Sequence, residues 1–97
     1  MTITYEQARD RVRTELEPSW STGTFTIDDR MIVENDDMYV FEVGASEFLK
    51  DHDPDFQIVG GVTVVYKKDG RVASLPSVQV ALDQSIQRRA NPAPVFS

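Results

Sequence analysis

Ninety-seven residues, 40% hydrophobic and 27% charged, suffice for one globular domain and exclude a chain too polar to collapse. The absence of cysteine excludes a disulfide framework and points to a reducing cytoplasm. The net charge is −6, and residues 28–55 hold ten acidic side chains against only Arg30 and Lys50. Such a centre repels a phosphate backbone and attracts a basic partner, which argues against nucleic-acid binding.

No apolar run approaches the ~20 residues that a membrane span needs. The opening Met1-Thr2-Ile3-Thr4-Tyr5-Glu6 has no basic stretch followed by an apolar one, so it does not read as a secretion signal.

Taken in chain order, Thr4 and Gln7 have the spacing of a capping box. Tyr5, Ala8, Val12 and Leu16 then recur at helical spacing. A helix is predicted over Tyr5–Glu17, stopped by Pro18. Residues 18–29 read as a loop with a short extended piece at Thr24–Ile27, and Trp20 within it either caps the core edge or presents a rigid contact to a partner. Arg30–Glu34 and Met38–Val43 read as strands around the turn Asn35-Asp36-Asp37. Gly44 is expected to break the second strand, and Ser46 to cap a helical turn through Leu49. Asp51–Asp55 reads as a loop.

Val62–Tyr66 and Arg71–Leu75 are β-prone and flank Lys67-Lys68-Asp69-Gly70, where Gly70 can adopt positive φ. Gly60-Gly61 reads as a tight turn or bulge. A second helix is predicted from Pro76-Ser77 to about Arg88, burying Val78, Ala81, Leu82, Ser85 and Ile86. Asn91-Pro92-Ala93-Pro94 ends it. The expected architecture is α+β, in two layers: an antiparallel meander of about four strands with both helices on one face. Residues 1–90 form the domain and 91–97 a Pro-containing tail in which Phe96 can dock.

Candidate chemistry is sparse. Asp51-His52-Asp53-Pro54-Asp55 resembles the opening of a calcium loop, but Phe56 stands at the position that requires Gly and Val62 at the position that requires Glu. A single histidine and no cysteine fall short of a zinc site. Nucleophilic catalysis would depend on His52 alone, and no acidic residue sits beside an apolar wall that would raise its pKa. No catalytic residue, metal or cofactor is expected. The candidate binding residues are therefore acids and aromatics: Trp20, Asp28, Asp29, Asp36, Asp37, Tyr39, Asp51, Asp53 and Asp55.

The segment Tyr39-Val-Phe-Glu-Val-Gly-Ala-Ser-Glu-Phe-Leu-Lys50 resembles the strand and aromatic-Leu turn of the immunity protein 35 family, the YrhB-like domain. The acidic loop Asp51–Asp55, Gly60-Gly61, Val62–Tyr66, Lys67–Gly70, Val72–Leu75, Pro76–Arg88 and the helix start Thr4-Tyr5-Glu6-Gln7-Ala8 are similar too. The resemblance implies a bacterial cytoplasmic protein, without an active site, that neutralises a cognate toxin by binding it. A basic toxin would suit the acidic centre. A chaperone-like or regulatory domain of the same fold is the alternative implied.

Overall fold

The computed structural model describes residues 2–57 and 61–97. The capping box forms as its spacing predicts: the Gln7 N–H donates to Thr4 Oγ1 (3.2 Å) and the Thr4 N–H to Gln7 Oε1 (2.9 Å). It starts helix α1, Tyr5–Leu16, which buries Tyr5, Ala8 and Val12. The chain then tightens into a 3-10 turn, Glu17–Ser19, with Pro18 inside it.

Strands β1 (Phe25–Glu34), β2 (Met38–Ala45), β3 (Val62–Tyr66), β4 (Val72–Leu75) and β5 (Gln87–Ala90) form one antiparallel sheet in the order β4-β3-β2-β1-β5. β1 is twice as long as expected because Thr24–Ile27 and Arg30–Glu34 join through a bulge. Four residues of β1 between Asp28 and Val33 stand against the single Phe41 of β2. Gly44 does not end β2. A Cβ there would lie 3.3 Å from Leu49, so the glycine admits that side chain from α2, Ser46–Leu49. Ser46 makes no side-chain cap. Gly70 has φ +73°, as the β3–β4 turn demands. A Cβ on Gly61 would collide with the Leu75 carbonyl, which accounts for that glycine; Gly60 lies outside the described residues.

One face of the sheet meets α1. Tyr5 packs edge-on to Tyr39 at 5.6 Å and over Phe41 at 5.2 Å, with Val12, Ile27 and Val65 completing a dry core.

The C-terminal quarter departs from expectation. The second helix, α3, spans only Ser77–Ala81. Asp83 Oδ1 accepts both the N–H and the hydroxyl of Ser85, a local turn that competes with helical hydrogen bonds. Gln87–Ala90 then pairs with Met31–Glu34 as the fifth strand. Each neighbour in the sheet is antiparallel, so β4 and β5 run parallel at opposite edges and need a crossover. Residues 76–86 make it across the face that α1 leaves free, where Val80 sits near Val33, Val40 and Val62. The helices thus lie on opposite faces. Leu82 and Val78, expected in the core, are 75% and 67% exposed. Leu82→Ala should therefore change the free energy of unfolding by less than about 0.5 kcal/mol, as for an ordinary surface change. A loss of core size in a urea titration would contradict this placement.

Residues 91–97 extend the line of β5 along β1. The Asn91 N–H donates to the Arg30 carbonyl (3.0 Å) and the Ile27 N–H to the Ser97 carbonyl (3.1 Å). The Phe96 ring lies beneath Arg30 and Lys50, 4.4 and 5.0 Å from its centre.

Candidate protein-binding surface

The nine candidate residues divide into three groups. Asp29 and Tyr39 are interior, which corrects their assignment to a docking face. Asp29 is 1% exposed. It accepts Arg9 Nη1 (2.7 Å) and the N–H groups of Val95 (3.0 Å) and Phe96 (2.7 Å). Burial alone would raise its pKa, but these donors outweigh burial and hold the carboxyl below the usual range. Tyr39 is buried, donates its O–H to the Ile3 carbonyl (3.2 Å) and has Lys67 Nζ 4.7 Å from its ring centre.

Two more residues are engaged within the fold. Trp20 is half-buried edge-on to Phe25, and its Nε1–H donates to the Thr22 carbonyl (2.7 Å). It caps the core edge. Asp28 pairs with Arg30 at 2.7 Å, and that bond holds its pKa down.

The remaining acids stand at opposite ends of one hairpin. Asp36 and Asp37 are exposed at the β1–β2 tip. Asp51, Asp53 and Asp55 follow α2, beyond the far end of β2, with Asp53 accepting the Asp55 N–H (3.0 Å). The eight residues of β2 put roughly 26 Å between these ends. A single acidic strip from Asp28 to Asp55 is therefore not what the fold presents.

Of the two ends, the tip is the more developed. Asn35 Oδ1 accepts the N–H groups of Asp37 and Met38, both at 2.9 Å, and so shapes the turn. Asn35 Nδ2–H donates to Ser85 Oγ (3.1 Å), which fastens the tip to the segment leaving α3. Behind them Glu34 lies between Lys67 Nζ (2.8 Å) and Arg89 Nη2 (3.0 Å). Lys67, then Arg89, keeps the Glu34 carboxyl ionised below its ordinary range. Glu34, Asp36, Asp37, Ser85 and Arg88 border a cleft of about 450 Å³. Glu34 engages Lys67 and Arg89, and Asp36 and Asp37 make no ion pair among the described residues. Asp83, whose hydrogen bonds from Ser85 depress its pKa, adds a third acid next to exposed Leu82.

A second depression lies on the sheet face away from α1. Val33, Val40, Val62 and Val80 line its apolar part, and Asp28, Arg30, Glu42 and Arg88 surround it. Glu42 is exposed as a residue, yet desolvation of its carboxyl against the sheet, aided by Asp28, raises its pKa, while Arg30 and Arg88 oppose the rise.

Among the described residues, no three His, Asp or Glu side chains gather as a metal site, and no helix is long and apolar enough to cross a membrane. Compared with models of protein families, with curated proteins and with solved structures, the chain matches none. Its own geometry is therefore the basis for a functional reading.

The sequence places Asp36 and Asp37 at an exposed turn, as the structure does, but puts Val78, Leu82 and Ser85 on a long buried helix, whereas they lie at the surface. The available signal was Asp83-Gln84-Ser85, a side chain–backbone turn pattern inside the supposed helix.

Proposed function

We propose that this chain is an immunity-type binding protein, which neutralises a basic cognate bacterial toxin in the cytoplasm by forming a complex rather than by catalysis. The observation that carries the reading is the Asn35–Ser85 hydrogen bond. It fastens the hairpin tip, whose Asp36 and Asp37 make no ion pair among the described residues, to the segment that leaves α3 just after exposed Leu82. An apolar anchor with a charged rim is the usual anatomy of a protein interface. The acids speed encounter with a basic partner, and the apolar contacts slow its escape. The resemblance to the immunity protein 35 family supports the same class of partner.

The test is an association experiment with the toxin that co-purifies. Reversing both Asp36→Lys and Asp37→Lys should slow association about tenfold at low salt and flatten its salt dependence. The fold should be unchanged, since the turn is held by Asn35 and not by either carboxylate. Weak binding to many unfolded proteins, with no saturable partner, would favour a chaperone-like role instead.

A further inference from the structure

The two edges of the sheet are finished differently. At one edge, β5 presents exposed Arg88 and Arg89, and residues 91–97 cover the rest of β1. At the other edge β4 is Val72-Ala-Ser-Leu75, with no charge, proline or bulge. An edge of the second kind is open to pairing with another strand.

The register identifies the free groups. The Tyr66 N–H donates to the Arg71 carbonyl, and Ala73 and Leu75 stand two and four residues on, opposite Val64 and Val62. Alternation then turns the N–H and C=O of Val72 and Ser74 away from β3. Among the described residues no strand lies beyond β4, and no hydrogen bond from a turn or loop meets these groups.

We infer that β4 is a docking edge for a second copy of this chain, pairing antiparallel with its own equivalent about a two-fold axis. The free groups restrict the register, because Val72 must face Ser74 of the second copy for both to exchange hydrogen bonds. Ala73 then meets its own equivalent on the axis at a non-hydrogen-bonded position, where the backbones approach to about 4.5 Å and a small side chain fits. Arg71 falls opposite Leu75, so no like charges meet. The same operation on β5 sets Arg89 against Arg89, because the Asn91–Arg30 bond fixes Arg88 and Ala90 as its outward residues. Charge therefore selects β4. The contact is isologous and closes at two copies. With only four residues per strand, the association depends on concentration.

The edge shares no residue with the hairpin tip, although Arg71 just before it borders a depression with Asp36 and Asp37, and its test needs no toxin. Sedimentation equilibrium of the purified chain over a concentration series should show the mass rising from one chain towards two. Ser74→Pro removes an outward N–H that β3 does not use, a change edge strands accept, and should leave a folded monomer. Ala73→Lys places two ammonium groups face to face and should do the same without altering the backbone. Circular dichroism and the unfolding midpoint verify the fold of each variant. A mass of one chain up to the solubility limit, or a dimer that persists in the folded variants, would overturn the inference.

Discussion

Replacing Asp29 with alanine should remove about 3 kcal/mol of stability, towards the low end of what breaking a buried pair costs because Arg9 keeps some contact with water. The carboxylate is 1% exposed and receives the backbone N–H groups of Val95 and Phe96 as well as the guanidinium. Without it, two amides and a charge lose their acceptor at once. The loss should appear as a lower urea midpoint with little change in slope. Faster amide exchange at Val95 and Phe96 should accompany it, since the tail is fastened there.

Acid should act on the same contact. The unfolded carboxyl titrates near 3.9 and the folded one lower, so the stabilisation is complete above the unfolded value and is lost as pH falls through the folded one. Asp28 and Glu34 are shifted in the same direction and reinforce the loss. Stability that stays flat from neutral pH to below 4 would contradict the placement of these three groups. Tyr5, raised to about 12 chiefly by burial and then by Asp29, remains neutral throughout that range.

The second large effect belongs to the core. Phe41→Ala should cost about 3–5 kcal/mol, since Phe41 is 1% exposed and its ring supports Tyr5 and so the start of α1. The contrast with Leu82→Ala makes the test sharp. Both positions look apolar and periodic in the sequence, yet only one is enclosed. Similar losses at both would place α3 back in the core.

The elements that were legible are those governed by local chemistry. Thr4 and Gln7 satisfy each other's backbone partners whatever lies around them, and Gly70 turns a hairpin because only glycine takes that φ without strain. The C-terminal quarter was not legible. Gln87-Arg88-Arg89-Ala90 holds good helix formers, but β1 offers an unpaired ladder, and tertiary pairing overrides a propensity of tenths of a kcal/mol per residue. Asp29 was misplaced for a related reason. Counting alternate residues from Phe25 and Ile27 turns it inward, but its donors lie 20, 66 and 67 residues away. The exposure of Asp36 and Asp37 at a turn was legible because a turn cluster is a local signal. Leu82 was misplaced because the Asp83–Ser85 turn ends α3 at Ala81 inside an apolar pattern that reads as a longer helix.

The most direct test of the docking surface is the kinetics of association with the co-purified toxin, measured for four proteins over a range of salt. These are the native chain, the Asp36→Lys/Asp37→Lys pair, the Asp53→Lys/Asp55→Lys pair and Leu82→Ala. The surface proposed here predicts that the tip reversal slows association and flattens its salt dependence. Leu82→Ala should leave association alone and speed dissociation about tenfold or more, as an anchoring residue does. The reversal at Asp53 and Asp55, roughly 26 Å away, should change little. Native kinetics in both tip variants, with the effect appearing at Asp53 and Asp55 instead, would contradict the account and move the interface to the other end of the hairpin.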